Sequence, residues 1–324
     1  MARGTGERAI ADQHSQELLG TPAAGVSLLT RGREGVIDAH HHLWDATRLR
    51  YEEFATNELL QGLYGADEYK AAKESRVIGS VCVEATSAGA DPRMETDWLL
   101  REASCSDEVL GVVAWAPVEM EGIEDYVDRL LREPPVRIVG IRRSFEFEDP
   151  RLLASKRAIS GISALGDRGL PFDLLVPAGG LEAAERLVKA CQGVQFVLDH
   201  VGNPAISDGD FGSWQDQLTR LAYLPNVACK LSGLGVLADP ARWTLGDVEP
   251  YLTHAVDVFG WERVMYGSDW PVVLLAGGMT KWFREVSAFA TGVAPAYRAK
   301  MFAENAIRVY ALETDSHGVV REPN

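Results

Sequence analysis

Eight short runs rich in β-branched residues recur between residues 36 and 271, and each is followed by helix-like sequence. They are VIDAHHH (36–42), VIGSVCVEA (77–85), VLGVVAWAP (109–117), VRIVGIRRS (136–144), PFDLLVP (171–177), VQFVLDH (194–200), NVACKLSG (226–233) and RVMYGSDWP (263–271). Strands apolar on both faces belong in a parallel sheet covered by helices. Eight is the number that closes such a sheet into a barrel, which takes about 250 residues; an open doubly wound sheet usually has fewer strands. The chain has 324 residues, 46% of them apolar, which is enough. Between the runs lie amphipathic stretches such as DPRMETDWLLREAS (91–104) and GLEAAERLVKACQG (180–193). In the second, Leu181, Ala184, Leu187, Val188 and Cys191 make one apolar stripe at helical spacing. The expectation is an α/β fold, a (β/α)8 TIM barrel in one domain over residues 35–312. A last helix near 295–312 should cover the outside of the barrel. Residues 1–34 read as a flexible N-terminal arm with a short helix near Gln13–Leu19, and 313–324 as a C-terminal tail.

Charge and cysteine usage narrow the function. The formal charge is −15, a field that repels phosphate backbones, so nucleic acid is not an expected partner. Cys82, Cys105, Cys191 and Cys229 are widely spaced and form no C-x-x-C pair. That argues against a zinc ribbon or a disulfide framework and fits a reducing, cytoplasmic setting. No apolar stretch reaches the ~18 residues of a membrane span, and residues 1–34 lack the pattern of a signal peptide. A small molecule is the expected partner, and the sequence permits a homo-oligomer.

In a barrel of this kind the chemistry sits at the C-terminal ends of the strands. There the runs carry His40, His41 and His42, then Glu84, Arg142 and Arg143, Asp199 and His200, Lys230 and Ser232, and Ser268 and Asp269. The fifth run ends in nothing ionisable. Burying such groups is costly unless they pair with each other, a metal or a ligand. Side chains alternate along a strand, so His40 and His42 share one face and His41 faces a helix. Three imidazoles (His40, His42, His200) and the Asp269 carboxylate make a credible site for one zinc-like divalent ion. The competing reading is a hydrogen-bonded polar plug at the barrel mouth.

IDAHHHLWD, VLDHVGNP, CKLSGL and YGSDWPV, in that order from residue 37 to 273, resemble the signature blocks of the amidohydrolase superfamily. More narrowly they resemble its lactonase branch of L-fuconolactonases, L-rhamnonolactonases and 2-pyrone-4,6-dicarboxylate lactonases. The resemblance implies that His40 and His42 form the pair on the first strand, with His200 on the sixth and Asp269 on the eighth. Asp269 would be the general base that takes a proton from the attacking water. The histidines would polarise the carbonyl, directly or through one bound ion. Two-metal members carry further ligands that this chain does not show, so one ion, zinc in the first place, or none is implied. Residues alone support the same chemistry, since lactone opening needs an activated water and a holder for the oxyanion.

Further residues are weighed against plain structure. Of the adjacent arginines one can face the mouth, and the resemblance favours Arg142, as a fork for substrate oxygens; its alternative is an ion pair with Glu146 or Glu148. Lys230 either neutralises an anionic product or pairs with Asp269. Glu84 is a candidate substrate or acid–base group. Trp44 and Trp270 either wall a ring or pack in the core. Asp199 is read as pointing outward, and His254 as structural. GLGVLA (233–238) mimics a dinucleotide fingerprint, but Asp239-Pro240 follows where a long helix is needed. No G-x-S-x-G occurs, which disfavours covalent catalysis. The favoured substrate is a sugar-acid lactone, an aldono-1,4-lactone such as fuconolactone or rhamnonolactone. The alternatives are a pyrone dicarboxylate lactonase, an aromatic-acid decarboxylase of the same superfamily, and a silent barrel that only binds a sugar acid.

Overall fold

In a computed structural model the described residues are 29–30, 33–51, 54, 57–85, 92–132, 134–146, 150–152, 154–209 and 211–313. The expected helix at 13–19 and Glu148 lie outside them. Eight strands form one sheet in sequence order, every pairing parallel. They are β1 (Val36–His41), β2 (Val77–Val83), β3 (Val109–Trp115), β4 (Ile138–Ser144), β5 (Phe172–Leu175), β6 (Phe196–Leu198), β7 (Val227–Leu231) and β8 (Val264–Tyr266). The seam between β8 and β1 closes just past the end of β8. Asp269 N donates to His40 O (2.8 Å), His42 N donates to Trp270 O (2.6 Å), and His41 and Trp270 bridge in parallel. The result is the expected eight-stranded barrel. Leu29–Thr30 and Arg33–Glu34 add a small antiparallel ribbon ahead of it.

The helices lie between consecutive strands, as the alternating pattern requires. The one at Leu181–Ala190 buries Leu181, Ala184, Leu187 and Val188. Its opposite face pairs Arg186 with Glu182 and Lys189 with Glu185, i to i+4. Each fully buried leucine or valine contributes roughly 1.5–3 kcal/mol, the surface pairs only a few tenths.

The last helical stretch departs from expectation. It runs as Pro295–Ala299, a π-helical turn Lys300–Glu304, and Asn305–Val309. Ala303, Ala306, Val309, Tyr310 and Leu312 share one cluster with Ile37, Ala39, Val81, Val83, Val113, Val139, Val197, Ala228 and Met265. Residues from seven strands meet only inside a barrel, so this segment plugs the barrel floor and does not lie on its outside. An apolar floor leaves the polar strand ends to the opposite mouth.

Candidate active site

Two irregularities aim the site. The pairing of β1 with β2 shifts register between Asp38 and His41, and that of β3 with β4 shifts between Ile138 and Gly140. A bulge adds one residue to a strand and reverses the facing beyond it. Ile37 and Ala39 belong to the inner cluster, so strict alternation would turn His41 inward. The bulge turns His40 and His42 inward instead. His41 points out, stacks on Tyr69 at 3.9 Å and meets Ser80 Oγ at 3.0 Å. Likewise Val139 faces in, Ile141 packs outside and Arg142 faces in.

Past β6 and β8 the backbone leaves the extended region. His200 (φ 48°), Val201 (φ 55°), Asn203 (φ 49°) and Asp269 (φ 59°) are left-handed without being glycine. Such conformations cost about 1–3 kcal/mol each and persist only where the surroundings enforce them. Gly233 (φ +72°) makes room for one of these side chains, since a Cβ there would lie 2.7 Å from His200 Nδ1. This is the functional content of the GLGVLA segment.

His40 Nε2 and His42 Nε2 lie 3.1 Å apart. Asp269 Oδ1 lies 3.6 Å from the first, 3.4 Å from the second and 4.0 Å from His200 Nε2. His42 Nδ1 donates to Val83 O at 2.8 Å, so its Nε2 presents a lone pair. A lone pair facing a carboxylate oxygen needs a proton or a cation between them. His200 Nδ1 is tied to Ser232 Oγ at 2.9 Å.

Beneath these residues runs a buried charge network. Lys230 Nζ donates to Asp173 Oδ2 (2.6 Å) and lies 2.9 Å from His40 Nδ1 and 3.0 Å from Asp199 Oδ1. Tyr310, from the floor segment, donates to Asp173 Oδ2 at 2.7 Å. Arg142 donates to Glu84 Oε1 (2.7 Å), to the Glu84 carbonyl and to Asp199 Oδ2 (3.3 Å). Burial pushes the Asp199 carboxyl up, but Lys230, His40 and Arg142 outweigh it and hold it well below its ordinary range. Asp173, pushed up by burial and by Asp199 against the pull of Lys230, reaches about 6. Burial first, then Lys230, holds His40 well below an ordinary histidine. Burial, aided by Arg142 and His42, also lowers His200.

The donor set fits a divalent ion. Tetrahedral coordination with metal–nitrogen bonds of ~2.0–2.1 Å separates neighbouring ligand atoms by about 3.3 Å, close to the spacing of His40, His42 and Asp269. Asp199 Oδ1 is buried and accepts no well-formed hydrogen bond, although His40 Nδ1 is only 3.2 Å away. Were His40 protonated on Nδ1, it would serve that oxygen and free Nε2 for a ligand, the usual carboxylate–histidine–metal arrangement.

A cavity of about 200 Å³ opens over the site. His42, His200, Arg142 and Asp269 line it, together with Phe54, Glu146, Asn203, Leu175 and Gly233. Most drug-sized sites span ~300–1,000 Å³, so this one suits a single small ring. His40 sits behind His42, and four residues expected at the substrate do not reach the cavity. Lys230 and Glu84 are fully buried and engaged with Asp173, Asp199 and Arg142. Trp44 is stacked on Phe54 and donates to Leu60 O. Trp270 is packed on Tyr64 and Tyr69. Asp199, read as pointing outward, is buried inside; it shares the face of Val197, and His200 comes in through the left-handed turn. Arg143 faces away, over the Trp115 ring and onto Glu119. His254 lies between helices, against Gln215 and Thr219. Asp173, Glu146 and Asn203 were not singled out as site residues. Asp173 could have been found as an acid inside an apolar strand, as Asp38 is.

Residues 37–312 match the amidohydrolase family model. The L-fucono-1,5-lactonase of Burkholderia ambifaria is 31% identical over 289 residues, covering 86% of this chain and 97% of that protein. The L-rhamnono-gamma-lactonase of Scheffersomyces stipitis is 24% identical over 234 residues, 63% of this chain and 69% of that one. Among solved structures, an amidohydrolase from Burkholderia multivorans with bound zinc superimposes with a TM-score of 0.79. It is 29% identical, with 86% of this chain and all of that one covered.

Proposed function

The chain belongs to the amidohydrolase family and is a lactonase-type hydrolase; on that footing we propose that its substrate is a sugar-acid lactone, an aldono-1,4- or 1,5-lactone, opened by water. The observation that carries this reading is Asp269 Oδ1 set 3.4–4.0 Å from three imidazole Nε2 atoms on the wall of a one-ring cavity. Asp269 takes a proton from water as the oxygen adds to the lactone carbonyl. The carbonyl oxygen gains negative charge and is held by N–H groups of Arg142, and by His200 if its proton sits on Nε2. Collapse breaks the ring C–O bond. Asp269 returns its proton to the departing alkoxide, and the product is the hydroxy acid. His40, His42 and Asp269, with His200 beside them, are the residues that would hold a zinc ion. When bound, such an ion polarises the carbonyl and lowers the pKa of water toward 7.

A pH-indicator assay across a panel of aldonolactones, a pyrone dicarboxylate and a dihydroxybenzoate tests the reading. Acid gain with the aldonolactones is expected. CO2 release from the benzoate with no acid gain from any lactone would replace this reading with a decarboxylase.

A further inference from the structure

We infer that Glu146 and Asn203 form a hydroxyl-recognising wall that selects a neutral, hydroxylated ring over a carboxylated one; this deepens the lactonase reading above and rests on it. Glu146 follows β4, Asn203 follows β6, and both line the cavity with Asp269. Asn203 Nδ2 donates to Val176 O (2.9 Å) and to Glu146 Oε2 (3.2 Å). Both amide protons are thereby used, and Oδ1 remains as an acceptor. Glu146 Oε1 accepts no hydrogen bond from the described residues. Arg142 uses three of its five N–H groups on Glu84 and Asp199, which leaves two for a ligand. Its charge is already matched by those two carboxylates.

The wall is therefore rich in acceptors and carries no uncompensated cation. A ring hydroxyl suits it, since it donates to Glu146 or Asn203 and accepts from Arg142. A carboxylate only accepts, and here it would face Glu146 and Asp269. Glu146 already feels the Asp269 carboxylate. Burial and then Asp269 raise Glu146, against the pull of Arg142 and Asn203.

The test measures kcat and KM of wild type, Glu146→Gln and Glu146→Ala on a six-carbon aldonolactone, on unsubstituted δ-valerolactone and on a pyrone dicarboxylate. Glu146 keeps part of its surface in solvent, and thermal melts check that the variants fold. With Ala, kcat/KM for the aldonolactone should fall roughly 10- to 100-fold, the worth of a hydrogen bond to a charged group. The loss should lie in KM and be partial with Gln. Valerolactone should change less than about threefold and the dicarboxylate should improve, both from removing one charged hydrogen-bonding group. An equal loss on aldonolactone and valerolactone would overturn the inference, as would an unchanged aldonolactone KM. A wild type that opens no lactone would instead overturn the lactonase reading, and this inference with it.

Discussion

Lys230→Met tests the buried network most severely. The lysine is fully buried, 2.6 Å from Asp173 Oδ2, 3.0 Å from Asp199 Oδ1 and 2.9 Å from His40 Nδ1. Methionine fills most of the space but removes the cation. Asp199 keeps Arg142, whereas Asp173 keeps, among the described residues, only the Tyr310 hydroxyl. Stripping one partner from a buried ion pair costs about 3–5 kcal/mol. With an unfolding entropy of roughly 2.1 cal/mol/K per residue, a barrel of this size has about 0.6 kcal/mol/K in total. The melting temperature should then fall by about 5–8 °C. Lys189→Met, which breaks only an exposed i to i+4 pair with Glu185, should move it by less than ~1 °C. The effect depends on pH. Asp173 titrates near 6 in the fold, above its ordinary 3.8. A carboxyl raised in this way favours the folded state most below 3.8, and that advantage is lost as pH rises through 6. Without the lysine its value rises further, so the deficit of the variant should be largest at pH 7–8 and shrink as pH falls below about 6. Calorimetry at several pH values reads this directly. A melting temperature within ~1 °C of wild type at pH 7.5 would refute the network as an energetic unit.

Other expectations follow from the same geometry. Gly233→Ala should lower both stability and activity, because φ +72° and a Cβ 2.7 Å from His200 Nδ1 strain the turn; we expect ~1–2 kcal/mol by calorimetry, and an unchanged enzyme would contradict it. Since burial holds His40 and His200 below their ordinary range, the acid limb of the activity profile should fall below pH 6.5, and a limb at or above that value would count against neutral imidazoles. Chelator should lower activity and zinc restore it; elemental analysis should find the ion bound in wild type and lost in His42→Ala, and equal metal content in both would remove His42 from the ligand set.

The barrel was legible because its strands are buried on both faces, which leaves near-continuous β-branched runs. The site was legible only in part. Alternation along a strand tells which residues face together while the backbone stays extended and in register. It paired His40 with His42 correctly, but only the bulge at 38–41 turns that pair inward. It failed for His200, where β6 ends at Leu198 and left-handed residues take over; taking His200 as inward by alternation is what sent its neighbour Asp199 outward. Lys230 and Glu84 looked like substrate groups because their partners stand on other strands; the Lys230 partners Asp173 and Asp199 lie 57 and 31 residues away. Tyr310 was out of reach for the same reason, and because the last helix was placed outside the barrel. Glu146 and Asn203 lie past strand ends, where no periodicity marks a side chain's direction.

The central claim is that Asp269 activates water in lactone hydrolysis. The direct measurement is acid release from the best aldonolactone by Asp269→Asn beside wild type, with the melts of both recorded. Asparagine keeps the shape but cannot take the proton, so we expect kcat to fall at least ~100-fold while the fold persists. A folded Asp269→Asn variant that opens the lactone at the wild-type rate would contradict the account.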